Sequence, residues 1–312
     1  MKLISIVFSF KDEEKNIPEL VDRVAKAFKL IKNWSYELIF VNDASIDSSE
    51  DVLVKLQSEH PITIINMSRN FGVASCVIAG FKQAKGDAIV YMDTDLQDPP
   101  ELIEKLILEH ENGADIVHTV RTKRLGESKI KMFVTKLGYR IINFFSDIDL
   151  QINAGDFKLI SRRALDEILK LKEFRPYIRG LSVWVGFKQS IVYYVRDPRR
   201  HGVTHVPMGH KQVEELMYGI TAYSLKPLYY SIIIGFVCIL ISIALMIHTF
   251  HAKFNELSAF GSASVLISIS FFSGMIILSQ GIIGIYIARI FEQVRGRKSY
   301  VIKDIKKPKD KI

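Results

Sequence analysis

Three acids and an amide stand close together in the stretch VYMDTDLQDPP, residues 90–100: Asp93, Asp95, Gln97 and Asp98. They follow an apolar run, Ala88 to Met92, and two prolines follow them. Residues two apart in a strand point to one side, so Asp93, Asp95 and Gln97 are expected to converge where the strand ends. Carboxylates that close repel and raise one another's pKa unless a positive charge sits between them. A hard divalent cation, Mg²⁺ or Mn²⁺, meets that need. It takes oxygen ligands, keeps positions for water and is commonly shared with substrate phosphates. The plainer reading is a solvated turn in which Asp98 caps the next helix, with Pro99 and Pro100 in its first turn. Both hold together if Asp98 caps while Asp93, Asp95 and Gln97 ligate.

The elements that must position these groups alternate. Strands are expected at 3–10, at YELIFVND ending on Asp43, at ITIINMS, at DAIVYMD and at ADIVHTV. Helices are expected at 16–31, at 48–59, over FGVASCVIAGFKQAKG ending at Gly86, and at 102–111. Nearly continuous apolar strands alternating with helices predict an α/β fold with a mostly parallel, doubly wound sheet. Ligands in such sheets sit beyond the carboxyl ends of the strands. Polar groups fall at four of those ends: Asp12-Glu13, Asp43, Arg69-Asn70 and Asp93 with Asp95. Neither G-x-G-x-x-G nor G-x-x-x-x-G-K-[ST] occurs, which argues against ordinary dinucleotide and P-loop sites.

The 312 residues suffice for one α/β domain and something smaller, and the net charge is +8. Much of that charge is C-terminal, with nine Lys/Arg against three Asp/Glu from Arg289 to Ile312. Nucleic acid and a membrane surface are the two partners such a tail suggests, and the preceding segments favour the membrane. Residues 228–248 and 262–288 are apolar, contain no Asp, Glu, Lys or Arg, and reach the roughly 20 residues a spanning helix needs. Buried core helices are the competing explanation. The short connection TFHAKFNELSAFG makes the pair a hairpin. Lys211 and Lys226 precede it, and Arg289, Arg295, Arg297 and Lys298 follow it, whereas its loop holds only Lys253. Positive charge on the inner side therefore predicts a multi-pass protein of the cell membrane, with the N-terminal domain and both termini cytoplasmic. The tail, 289–312, reads as a solvated strip beside anionic headgroups. Met1-Lys2 leads directly into LISIVFSF, too short for a signal peptide. Cys76 is expected in a helix and Cys238 in a span, so no disulfide is expected.

Residues 128–145 carry Ile130, Phe133, Val134, Leu137, Ile141, Phe144 and Phe145 at helical spacing, interleaved with Lys129, Lys131, Lys136 and Arg140. A basic amphipathic helix with aromatics suits a membrane interface, and packing on its own sheet is the equal alternative.

The chain resembles the family 2 glycosyltransferases of GT-A fold, and within them the polyprenyl-phosphate glycosyltransferases, which include bactoprenol glucosyltransferases and dolichyl-phosphate mannose synthases. The resemblance rests on DEEKNIPEL, FVNDASIDSS, MSRNFGVASCVIAGFKQAKGDAIVYMDTDLQDPPELI, AGDFKLISRRAL, RGLSVWVGF and YSLKPL, over most of residues 4–227. The C-terminal hairpin looks like the bactoprenol branch. The resemblance implies a catalytic domain over 1–210, a juxtamembrane segment over 211–227, two transmembrane helices over 228–288 and the basic tail. It implies transfer of a hexose, with inversion, from a nucleotide-diphosphate sugar to polyprenyl phosphate. UDP-glucose is the expected donor; UDP-GlcNAc, GDP-mannose and aminosugar donors occur on the same frame. By the same resemblance Asp93, Asp95 and Gln97 hold the metal on the donor diphosphate. Ser9, Glu13, Asp43, Arg69 and Asp93 bind the nucleotide sugar. Asp156, in G-D-F-[RK]-L, acts with Asp95 near the reacting phosphate, and Arg199, Arg200 and His205 receive the acceptor phosphate. A homo-oligomer, a tetramer in the family, and a downstream flippase or transferase are further implied partners; no nucleic acid is.

Three departures stand out. Lys11 replaces an aromatic in the family's P-x-Y-N-E, Cys76 replaces a small alanine, and His205 replaces the lysine of R-x-x-G-x-S-K. His205 is only partly charged near neutrality, so Arg196, Arg200 or His210 is expected to supply the missing charge, and a plain surface histidine is the alternative. A processive polysaccharide synthase is disfavoured because Q-x-x-R-W is missing and the helices are few. The retained acids argue against a non-enzymatic scaffold. The hairpin, and the lack of a Gly-rich N-terminal loop, argue against a sugar-nucleotide pyrophosphorylase.

Overall fold

Apolar β-branched and aromatic residues build the centre of the sheet. In β1 (Lys2–Phe10) every residue from Ile4 to Phe10 is buried, as befits a strand covered on both faces. Phe8 pairs in register with Phe40 of β2 (Trp34–Asn42), and their rings stack with centroids 4.5 Å apart. The computed structural model describes residues 1–124, 140, 144–145, 154–196, 217–254 and 261–308. Arg199, Arg200, His205 and His210 lie outside the described residues, as does all of 128–145 except 140, 144 and 145.

Eight strands form one sheet in the order β7-β5-β6-β4-β1-β2-β3-β8. β1 runs parallel to β2 and to β4 (Ala88–Tyr91), β2 parallel to β3 (Ile62–Met67), and β5 (Ile116–Arg124) parallel to β7 (Gln189–Arg196). β6 (Ala154–Ser161) is antiparallel to both β4 and β5, and β8 (Ile302–Lys306) is antiparallel to β3. The strand order reverses between β1 and β4, which opens a crevice at their carboxyl ends.

Helices cover both faces. α1 (Ile17–Leu30) starts with Pro18 in its first turn and buries Ile17, Leu20, Val21, Val24, Ala27 and Phe28, one stripe at helical spacing. α2 (Ser49–Leu56) and α4 (Ile103–Glu111) bury Leu53 and Ile103, Leu106 and Ile107 against the same core. On the other face α3 (Val73–Gln83) lies directly on β1: a Cβ on Gly80 would come 2.4 Å from Cγ1 of Val7. α5 (Arg162–Lys170) and α6 (Ile178–Trp184) complete that layer.

α7 (Lys226–Phe254) and α8 (Ser262–Val294) are each long and apolar enough to cross a membrane, and the rest of the chain buries almost none of either. α8 continues past the expected end at Ala288. The sequence reading of the tail is corrected here: residues 302–306 are not a solvated strip but an edge strand. Ile302 and Ile305 pack on the core, and Lys306 pairs with Glu50 at 2.6 Å. The reason is a register shift in the pairing with β3 between Asn66 and Met67, which lets Ile302 and Ile305, three residues apart, both pack on the domain while Lys303 and Lys306 stay exposed.

Candidate active site

Two turns at the ends of β1 and β2 clamp each other. The Asp12 amide donates to Oγ of Ser45 (3.0 Å), and the Ile46 amide donates to Oδ1 of Asp12 (2.8 Å). The Glu13 amide donates to Oγ of Ser49 (2.9 Å), and the Glu13 carboxylate accepts from Nδ2 of Asn16. Asp12 and Ala44 adopt left-handed backbone, φ 56° and 59°, which these contacts sustain. Asp43 follows β2 and is buried. Its two carboxylate oxygens accept from the amides of Phe71 (2.7 Å) and Gly72 (3.0 Å), at the start of α3. Gly72 has φ 87°, a conformation that favours glycine. Arg69 is exposed in the same loop, with its guanidinium 4.1 Å from the Phe71 ring centroid. Behind Asp43, Asp304 of β8 accepts from Asn66, Asn66 accepts from Asn42, and Asn42 accepts from the Ser45 amide.

The acid stretch adopts a turn, which corrects the expected geometry. β4 pairing stops at Tyr91, and residues 93–98 bend through a left-handed Leu96, φ 58°, whose side chain is buried. The acids are gathered by this bend and by β6, not by strand alternation. Because Tyr91 pairs with Lys158 in antiparallel register, Asp156 is carried to the same sheet end as Asp93. The Tyr91 hydroxyl donates to Oδ1 of Asp93 (3.1 Å) and lies beside Ser9. Asp98 is also corrected. Pro99 occupies the cap position, while Asp98 is buried among Arg121 (3.4 Å), the Tyr194 hydroxyl and Arg196 (3.4 Å). Arg196 also reaches Asp95 at 3.8 Å.

Charge is unequally met within this cluster. Asp156 receives both arms of Arg179, at 2.7 and 2.5 Å. Burial would raise its pKa, but Arg179, Lys158 and Arg121 hold the carboxyl below the usual carboxylate range. Asp93 is pushed up to about 7, first by burial and then by Asp156, Asp95 and Asp98. Lys158 is buried under Asp156 and falls to about 8, chiefly through burial; its Nζ donates to Oγ of Ser182 (3.2 Å). Among the described residues no three His, Cys, Asp or Glu side chains already form a metal-binding group. The donor chemistry still fits a hard cation: oxygen ligands are at hand, and Asp93 is crowded by the carboxylates of Asp156, Asp95 and Asp98.

The site is tied to the base of the hairpin. A Cβ on Gly180 would come 2.2 Å from the Tyr223 ring, and the Tyr223 hydroxyl donates to the Tyr177 carbonyl (3.2 Å). Tyr286 of α8 donates to the Ser224 carbonyl (2.7 Å), and Arg289 donates to that of Tyr218 (2.5 Å). Gln293 bonds the backbone of Phe174 and Lys172, both at 3.0 Å. Of the expected amphipathic helix, Phe144 and Phe145 pack against Tyr230 of α7, with centroids 6.2 and 5.5 Å apart.

A sequence profile of the glycosyl transferase family 2 domain matches residues 5–169. YkcC, an uncharacterised glycosyltransferase of Bacillus subtilis (strain 168), is 40% identical over 300 residues, covering 96% of this chain and 92% of its own. The bactoprenol glucosyl transferase of Shigella phage SfII is 33% identical over 305 residues, 96% of this chain and 97% of its own. A prophage bactoprenol glucosyl transferase homolog of Escherichia coli (strain K12) is 32% identical over 314 residues, 97% of this chain and 99% of its own. The chain belongs to glycosyl transferase family 2 and is a glycosyltransferase. With the mixed, mostly parallel sheet described above, this bears out the GT-A fold expected from the sequence.

Sequence reasoning missed Arg121, Lys158, Arg179 and Tyr194 at this site. Arg179 stood in RGLSVWVGF and Lys158 in AGDFKLISRRAL, both noted only as family segments. Lys158 stands two residues after Asp156, a spacing that becomes legible only once β6 is seen to pair with β4; Arg179, 23 residues from Asp156, carries no such local signal.

Proposed function

We propose that this protein transfers a hexose from a nucleotide-diphosphate sugar to polyprenyl phosphate at the cytoplasmic face of the cell membrane, with inversion at the anomeric carbon. The observation that carries this reading is the acid cluster of Asp93, Asp95 and Asp156, mounted through Arg179 and Gly180 on the base of the apolar hairpin. The glucosyl transferase names of two relatives make UDP-glucose the first donor to test.

An oxygen of the lipid phosphate forms the new bond to the anomeric carbon. The bond from that carbon to the donor's terminal phosphate oxygen breaks, and the nucleoside diphosphate leaves with the electron pair. The nucleophile is already anionic, so Asp156 serves to position rather than to remove a proton. Asp93, Asp95 and Gln97 would hold Mg²⁺ or Mn²⁺, which supplies Lewis-acid neutralisation of the departing diphosphate. Asp43 organises the 71–72 loop against the nucleotide, with Arg69 at its rim; Glu13 braces the first turn through Ser49 and Asn16, and Ser9, beside Tyr91, completes the nucleotide-sugar side. The acceptor's chain stays in the bilayer, because exposing it costs about 0.8 kcal/mol per CH₂. The site must therefore come to the membrane, and the packing of Phe144 and Phe145 on Tyr230 of α7 supports an approach along the hairpin base. Arg199, Arg200 and His205 remain candidate phosphate ligands.

The test is product identification. Purified full chain in lipid vesicles is given UDP-glucose, UDP-GlcNAc or GDP-mannose with polyprenyl phosphate. A polyprenyl-phosphate-hexose of inverted configuration is expected with one donor and none with unphosphorylated polyprenol; no lipid product with any donor refutes the reading. Topology is checked by labelling single cysteines from outside the cell: Ser258→Cys should react and Ser299→Cys should not, and the reverse pattern overturns the orientation.

A further inference from the structure

Among the described residues three arginines face the acid cluster, and they are not equivalent. Arg121 and Arg196 keep 8% and 15% of their side chains exposed and are committed to Asp98, which is wholly buried. Arg179 keeps 31% exposed, and its partner Asp156 keeps 26%. Of these three, Arg179 is therefore the one most open to a solvent-borne or membrane-borne anion.

Its mounting points the same way. The neighbouring Gly180 lies against Tyr223, just before α7 begins at Lys226, and the 172–177 segment leading into α6 is bonded to α8 through Gln293. Arg175 lies 3.7 Å from Glu292 of α8. The Arg179 carbonyl accepts from Oγ of Ser182, which in turn accepts from buried Lys158. The guanidinium thus sits on a rigid turn at the junction of hairpin and active site.

We propose that Arg179 binds the acceptor's phosphate, exchanging its two-armed contact with Asp156 for the monoester of a polyprenyl lipid that arrives along the base of the hairpin. A guanidinium fork fits a phosphate as it fits a carboxylate. The exchange strands no charge, because Lys158 and Arg121 remain beside Asp156. It also leaves the bound phosphate beside the cluster of Asp93, Asp95 and Asp156, where the donor's anomeric carbon must sit. This inference rests on the reaction proposed above and adds to it a residue that links hairpin and chemistry.

The experiment uses full chain in vesicles, with polyprenyl monophosphate varied against the donor that wild type accepts. Arg179→Lys and Arg179→Gln are each expected to raise the acceptor KM about tenfold or more, the loss of a two-armed charged contact. The donor KM should stay within about twofold of wild type. An unchanged acceptor KM with a lowered kcat would mean that Arg179 only fixes Asp156, and a raised donor KM would assign it to the nucleotide diphosphate; either overturns the inference. Should Arg179→Gln fail to fold, the charge-retaining lysine variant decides. As a second arm, Asp156→Asn should bind polyprenyl monophosphate at least as tightly as wild type in a direct titration, because Arg179 is released; binding about tenfold weaker overturns the inference. If wild type transfers sugar to no polyprenyl phosphate, the reaction and this inference fall together. If wild type transfers and the variants keep their acceptor KM, only the role of Arg179 falls.

Discussion

Asp43 and Asp156 are both carboxylates at the carboxyl end of the same sheet, but they are held in opposite ways. Asp43 accepts from two backbone amides of the 71–72 loop, which no ligand can displace without unfolding the start of α3. Asp156 is held by side chains, with two hydrogen bonds from Arg179, which is mounted on a short helix that touches the hairpin base. On the proposed reading, the half of the site assigned to the donor is fixed by backbone, and the half assigned to the acceptor by side-chain ion pairs. A nucleotide needs a preformed cradle, whereas an acceptor that arrives in the bilayer plane needs a cation able to change partners.

The largest break in this contrast is expected at the acid turn. Asp95→Ala should lower turnover by about a hundredfold or more while the folded protein persists, since it removes one of several crowded like charges. Product formation and a thermal melt on the same sample check both halves, and wild-type turnover would end the metal-holding role. Next is the cage beneath it. Arg121→Ala leaves Asp98 buried and short of charge, and should cost about 3–5 kcal/mol in denaturant unfolding. A loss below about 1 kcal/mol would mean that Arg196 and Tyr194 suffice. Gly180→Ala pushes a methyl into the Tyr223 ring and to 2.8 Å from Cδ1 of Tyr177, and should cost about 1–3 kcal/mol, with the cost partly recovered when it is made in a Tyr223→Ala background. No recovery would locate the strain elsewhere.

A pH series sharpens the comparison further. The Asp93 carboxyl sits at about 7 in the folded protein against 3.8 ordinarily, raised by burial and then by Asp156, Asp95 and Asp98. The folded state therefore holds that proton more tightly than the unfolded one. Without divalent cation, stability should fall as pH rises from 3.8 through about 7 and then level off. Asp93→Asn should flatten that slope in unfolding with chelator present; an unchanged slope would move the effect to another group. The smallest effect is at the sheet edge, where Lys306→Ala removes an exposed pair with Glu50 and should cost less than about 1 kcal/mol.

The donor half was legible in the sequence because its strands are unbroken apolar runs ending in polar groups, from Ile4–Phe10 to Ala88–Tyr91. The other half was not. β6 reads A-G-D-F-K-L-I-S, and Asp156 and the buried Lys158 interrupt the continuous apolar run that marks the other central strands. β8 hides in a basic tail because its apolar residues are only two. Asp98 looked like a cap because Asp-Pro-Pro is a helix-start signal; its partners Arg121, Tyr194 and Arg196 come from strands distant in the chain. Arg179 and Asp156 lie 23 residues apart, and no local spacing announces that they meet. Charged contacts between distant elements are set by tertiary packing, which periodicity does not encode.

The central claim is that phosphate on a polyprenyl chain is what the sugar is transferred to. The most direct measurement is the release of nucleoside diphosphate by the full chain in vesicles, with donor and divalent cation present. Polyprenyl phosphate should stimulate release by about a hundredfold or more, polyprenol should not, and Asp95→Ala should abolish the stimulation. Equal release with and without polyprenyl phosphate, or equal stimulation by the alcohol, would contradict the account.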